Sequence, residues 1–115
     1  MSRVVLVVDD DPDVLQVIAA MLEDIGCDVV TAETGFQALE HINRNHRIEV
    51  LITDVNMPGM TGNELAERAS RARPDLHVML LSGREPRRSR FPLIRKPFLQ
   101  HDLAAAMVHE TGRAC

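Results

Sequence analysis

Five short runs of branched apolar residues, separated by stretches whose apolar positions recur every three or four residues, leave this chain few architectures to choose from. The runs are "VVLVV" (Val4 to Val8), "DVVTA" (Asp28 to Ala32), "VLITD" (Val50 to Asp54), "HVMLL" (His77 to Leu81) and a short "LIR" (Leu93 to Arg95). Each has the length of a strand and ends in polar or turn residues. A near-continuous apolar run, in place of strict alternation, marks a strand buried on both faces.

Between the runs the period becomes helical. Val14, Leu15, Ile18, Met21, Leu22 and Ile25 share one stripe, with Asp11 placed to cap it, Pro12 in the first turn and Gly26 beyond its end. Phe36, Leu39 and Ile42 form a shorter stripe. Asn63 to Arg71 offers a third helix with Leu65 and Ala69 inward, and Leu99 to His109 a last one. Strands that alternate with amphipathic helices predict a parallel sheet covered on both faces, the doubly wound α/β class. In that class ligands sit outside the carboxyl ends of the strands, where successive loops converge.

Composition narrows the partners. With 115 residues, 45% of them apolar and 26% charged, the chain suits one soluble globular domain spanning residues 1–115. A net charge of -4 supplies no general attraction to nucleic acid or to an anionic membrane. The N-terminal apolar run is too short for a signal peptide or a membrane span, so the expected location is cytoplasmic. Cys27 and Cys115 have no metal or redox spacing. The expectation is that Cys27 is an unpaired, buried small residue, a terminal Cys115 being a poor staple.

The carboxyl ends of the strands carry the chemistry. The first runs into Asp9, Asp10 and Asp11, the third into Asp54, the fourth into Ser82 and the fifth into Lys96. In a parallel sheet all of these meet at one edge. Carboxylates gathered there repel, at roughly 4 kcal/mol for a unit pair about 4 Å apart at an effective dielectric near 20. A hard divalent cation offsets that, and Mg²⁺ takes a few protein oxygens while keeping waters for a phosphate. Lys96 adds a movable point charge. Carboxylate, cation, ammonium and hydroxyl around one cavity are the parts that phosphoryl transfer needs, with Asp54 as nucleophile and acyl phosphate carrier.

These segments resemble the response regulator receiver domains of two-component signalling. "VVLVVDDDPDVL", "LITDVNMPGMTG", "LLSG" and "RKPF" match the family's motifs in order along essentially the whole chain. The resemblance implies a flavodoxin-like, five-stranded sheet of order 2-1-3-4-5, with Asp54 as the phosphoacceptor. It implies Asp10 as a direct Mg²⁺ ligand, Asp9 as one acting through water, and the main-chain carbonyl of Asn56 as a further ligand. Ser82 is similar to the hydroxyl residue that turns toward the phosphoryl group, and Lys96 to the family's lysine, followed by Pro97 in a cis peptide. The implied donor is the phosphohistidine of a sensor histidine kinase or histidine phosphotransfer protein. Slow hydrolysis of its own acyl phosphate is the only turnover implied, so the chain is not expected to be an ordinary enzyme. Asp11 is read as a helix cap, and Met57, Met60 and Met79 as packing residues.

One segment departs from the pattern. Between Ser82 and Lys96 the family fits a loop, a fourth helix and the fifth strand, whereas Gly83 to Arg95 is all that stands here. Pro86 and Pro92 interrupt it, and "REPRRSR" has no apolar face. The fourth helix is therefore expected to be absent or reduced to about one turn. Leu93 occupies the position of the family's switching aromatic, with Phe91 nearby. The sheet face left by that helix is expected to expose apolar surface for a partner or a second copy, with Arg84, Arg87, Arg88 and Arg90 at its rim or in a solvated basic loop.

Other readings fit less of the chain. A metal-dependent aspartyl phosphatase of the haloacid dehalogenase type needs its nucleophile after the first strand, and Asp54 follows the third. A receiver-like module that is never phosphorylated would lack an acid or the lysine, and all are present. A calcium loop over Asp9, Asp11 and Asp13 fails at Val14 and Ala20, where Gly and Glu are required.

Overall fold

The computed structural model describes residues 3–83 and 89–115. Its elements follow the order β1 (Val4–Val8), α1 (Pro12–Asp24), β2 (Asp28–Ala32), α2 (Gly35–Arg44), β3 (Ile48–Asp54), α3 (Gly62–Ala72), β4 (His77–Ser82), β5 (Leu93–Arg95) and α4 (Gln100–Thr111). All strand pairs are parallel, in the order β2-β1-β3-β4-β5.

The inner strands β1, β3 and β4 are buried on both sides because their alternate residues face different helices, whereas the edge strands β2 and β5 are only partly covered. Val4, Leu6 and Val8 join Leu51, Val78 and Leu80 in a cluster with Ala38 and Ile42 of α2 and Leu65, Ala66 and Ala69 of α3. Val5 and Val7 join Ile52, Met79 and Leu81 in a second cluster with Leu15, Ile18 and Leu22 of α1 and Leu103 and Met107 of α4. Full burial of one such side chain stabilises by about 1.5–3 kcal/mol, so these two faces provide the main force holding the sheet.

Polar side chains set where the helices start. Asp11 Oδ1 accepts from the main-chain N–H of Asp13 at 2.9 Å, capping α1 as its position suggests. Thr34 Oγ1 caps α2 through Gln37 N–H, and Thr61 Oγ1 caps α3 through Glu64 N–H, each at 3.1 Å.

No described residue between Ser82 and Leu93 is helical, which agrees with a lost or shortened fourth helix. Arg84, Arg87 and Arg88, expected at the rim of an open face, lie outside the described residues. Among the described residues that face is not open as expected. Leu80 is 1% exposed, and Phe91 and Leu93 pack against the same cluster. Arg90 is anchored to α3: its Nε and Nη2 donate to the Glu67 carboxylate, each at 3.0 Å, and its guanidinium lies over the Phe91 ring. Among the described residues, the large apolar side chains that are exposed, Val17, Phe36, Leu99 and Val108, lie elsewhere.

The cysteine expectation also needs correcting. Cys27 is buried as anticipated but forms a disulfide with Cys115, their Cα atoms 5.1 Å apart. The physical reason is the path of the chain after α4. Arg3 Nη2 donates to the Thr111 carbonyl at 2.9 Å, fixing the end of the helix beside β1, and the last residues fold back against Cys27.

Candidate functional site at the carboxyl edge of the sheet

The edge where β1, β3, β4 and β5 end collects the acids, the hydroxyl and the lysine. Asp9 leaves β1 and is 2% exposed. Its N–H donates to the Ala32 carbonyl at the end of β2, and its Oδ1 accepts from Asp11 N–H at 3.0 Å, which fixes the carboxylate. Asp10 is exposed beside it. Asp54 is the last residue of β3 and is 7% exposed. Oxygens of Asp9, Asp10 and Asp54 lie within 4.8 Å of one another.

Lys96 follows β5 and reaches back into this group. Its Nζ donates to Asp54 Oδ1 at 3.1 Å and lies 3.5 Å from Asp9 Oδ2. Its own N–H donates to the Ser82 carbonyl at 2.8 Å, so β4 sets where the lysine begins. The Lys96–Pro97 bond is cis. Ser82 ends β4, one residue beyond the Leu81 that pairs with Asp54, and is buried at the same edge.

Charge and burial strain the group. Burial pushes the Asp54 carboxyl above its ordinary value; Lys96 pulls it down, while Asp9 and Asp10 raise it further. Burial acts to lower the Lys96 ammonium, yet its contacts with Asp54 and Asp9 leave it above its ordinary value. One ammonium thus faces a cluster of carboxylates, all of them hard oxygen donors. This donor set suits a hard divalent ion such as Mg²⁺ and not a thiophilic one.

Loop β3–α3 closes tightly round Asp54. Val55 N–H donates to Leu81 O at 3.0 Å and Gly62 N–H to Val55 O at 2.9 Å, folding the loop back on the strand. A Cβ at Gly62 would collide with the main-chain carbonyl of Asp54, so only glycine permits this approach. Gly59 turns the loop at φ +82°. Asn56 is exposed in this loop, two residues after Asp54. Thr53, not singled out from sequence, is fully buried, and its hydroxyl donates to the Asp54 carbonyl at 3.0 Å. The signal available was a lone polar residue inside an apolar strand. Met57, Met60 and Met79 are buried packing residues, as expected.

With that geometry in view, comparison with known proteins is decisive. A family model described as the response regulator receiver domain matches residues 5–107. The chain belongs to the response regulator receiver family. The receiver is 35% identical over 78 residues to the transcriptional regulatory protein GlrR of Escherichia coli K12, a match covering 68% of this chain and 17% of GlrR. It is 29% identical to the sensor protein GacS of Pseudomonas syringae, across 96% of this chain and 14% of GacS. The receiver thus spans less than a fifth of either relative. Its fold superposes on the chemotaxis protein CheY4 of Vibrio cholerae with a TM-score of 0.89 at 27% identity, covering 96% of this chain and 99% of that one. Receivers are signalling modules and not classical enzymes. No described helix of this one is long and apolar enough to cross a membrane.

Proposed function

We propose that residues 1–115 form one receiver domain in which Asp54 takes a phosphoryl group from the phosphohistidine of a sensor histidine kinase or a histidine phosphotransfer protein. The observation that carries this reading is the Asp54 carboxylate, buried at a strand end, touching Lys96 at 3.1 Å with Asp9 and Asp10 beside it.

In the transfer, a carboxylate oxygen of Asp54 forms the new O–P bond as the bond from phosphorus to the imidazole nitrogen breaks. The electron pair of the broken bond returns to the imidazole. β3 and the loop closed by Gly62 hold that oxygen in line, which lowers the barrier through positioning. The Lys96 ammonium, already against Asp54, meets the charge of the arriving phosphoryl oxygens. Ser82, at the end of the neighbouring strand, would turn its hydroxyl toward the acyl phosphate.

Asp9, Asp10, Asp54 and the main-chain carbonyl of Asn56 would hold Mg²⁺, which when bound supplies positive charge to the phosphoryl oxygens. Signal relay follows as a shift of population between two arrangements of the loops after β3 and β4. Slow self-dephosphorylation by water ends the signal. The proposed location is cytoplasmic, and neither nucleic acid nor membrane is a proposed direct partner. A second copy or another protein beside β4 and β5 would sit in the groove formed by Arg71, Pro74, Phe91 and Pro92, with little open apolar area to drive it.

Beryllofluoride, a mimic of the acyl phosphate, tests the site by NMR. Mg²⁺-dependent shifts centred on Asp54, Ser82 and Lys96 are expected. A spectrum indifferent to beryllofluoride with Mg²⁺ present would overturn the reading.

A further inference from the structure

At the end of the sheet opposite the carboxylates, Cys27 precedes β2 and is paired with Cys115 across 88 residues of sequence. The two sulfurs are not equivalent. Cys27 is 5% exposed, whereas Cys115 is only half buried. These are the two cysteines of the 115 residues, so one intramolecular link is available between them.

The link reaches a helix that is otherwise lightly held. Of the α4 residues only Leu103 and Met107 are buried. Its last turn is tied by Arg3 Nη2 to the Thr111 carbonyl, and that same guanidinium has Nε and Nη1 buried without hydrogen-bond partners. Glu49 Oε2 lies 3.5 Å from Nε as an ion pair only. Beyond Thr111 the tail folds back: the Thr111 hydroxyl lies 2.9 Å from the Arg113 carbonyl, and the Cys27 sulfur lies 3.9 Å from the Ala114 carbonyl. At its other end α4 begins four residues after Lys96, the cation of the carboxylate site. The helix therefore runs from the cysteine pair to the lysine, about 18 Å at 1.5 Å per residue.

We infer that Cys27 and Cys115 form a reversible thiol–disulfide modification site whose oxidation locks the carboxyl end of α4 onto the sheet. The oxidant class is a low-molecular-weight or protein disulfide. The more accessible Cys115 thiolate attacks one sulfur of that disulfide, breaking its S–S bond and releasing one thiolate. The buried Cys27 thiolate then attacks the Cys115 sulfur of the mixed disulfide and expels the second thiolate. The two protons lost by the cysteines pass to the two released thiolates, and both cysteines are oxidised as the external disulfide is reduced. Reduction by a dithiol runs the same steps backwards and frees the tail and the last turns of α4. In a compartment that keeps thiols reduced, such a pair serves as a sensor and not as a permanent staple. This inference does not depend on Asp54 being the phosphoacceptor.

The test uses the full chain, equilibrated with oxidised glutathione or with dithiothreitol, then treated with a maleimide-polymer reagent and run on a gel. The oxidised chain is expected to stay monomeric and take up no label, and the reduced chain to be labelled at both cysteines. Amide exchange at residues 103–111 is expected to quicken about tenfold or more on reduction. Cys115→Ser and Cys27→Ala should each exchange like the reduced chain even with oxidant present. Thiols still labelled after oxidised glutathione, disulfide-linked dimers in place of the internal link, or exchange in α4 that is the same in both redox states would each overturn the inference.

Discussion

Lys96 Nζ lies 3.1 Å from Asp54 Oδ1 and 3.5 Å from Asp9 Oδ2, so one ammonium balances carboxylates brought from two separate strand ends. Burial and the neighbouring acids leave Asp54 harder to ionise than a free aspartate, in spite of that lysine. Ionised Asp54 therefore costs the fold stability even with Lys96 beside it, and a further cation would offset that cost.

The first prediction follows from the sign of that shift. A carboxyl whose folded pKa is raised binds its proton more tightly folded than unfolded, so its destabilising effect is present above the folded pKa and fades as pH falls toward the unfolded value of 3.8. Without Mg²⁺, Asp54→Asn should melt above the parent chain near pH 7, by about 3–6 °C for each kcal/mol relieved. The gap should shrink as pH is lowered toward 4. Calorimetry across that range checks it, and Mg²⁺ should raise the melting temperature of the parent more than that of the variant.

Removing the lysine should separate metal binding from transfer. In Lys96→Ala the carboxylates lose the ammonium that touches Asp54 and Asp9, so Mg²⁺ should bind more tightly by titration calorimetry. Labelling by a small phosphodonor should nonetheless slow by about 10²-fold, because a preorganised positive group is missing from the phosphoryl oxygens.

Gly62 offers a structural test with a local readout. A Cβ there meets the Asp54 main-chain carbonyl, so Gly62→Ala must push the loop off the strand. A loss of about 1–3 kcal/mol in urea unfolding is expected. Mg²⁺ binding should weaken too, since the displaced carbonyl belongs to Asp54, an acid proposed to hold the ion.

The sheet was readable because its inner strands are apolar on both faces, a run that only a strand covered from both sides accommodates; the half-exposed edge strand β2 was read from its branched residues alone. The site was readable for a related reason: Asp9, Asp10, Asp54, Ser82 and Lys96 each follow an apolar run, and parallel strands carry all such positions to one edge. The Cys27–Cys115 pairing was not readable, because it depends on where α4 ends and how the tail turns, not on residues near either cysteine. Closure of the face beside β4 was missed for a similar reason. The packing of Phe91 and Leu93 against the cluster that holds Leu80, with Arg90 anchored to Glu67, leaves no period or motif in the sequence. Thr34 and Thr61 carry a legible cap signal, a threonine just ahead of a helical stripe.

Everything proposed for the site depends on magnesium-assisted acceptance of phosphorus at Asp54. The most direct measurement is mass spectrometry of the chain after incubation with phosphoramidate, with and without Mg²⁺, followed by peptide mapping. One phosphoryl group on Asp54, present only with Mg²⁺ and absent from Asp54→Asn, is the predicted result. Equal labelling without the ion, or undiminished labelling of Asp54→Asn, would contradict it.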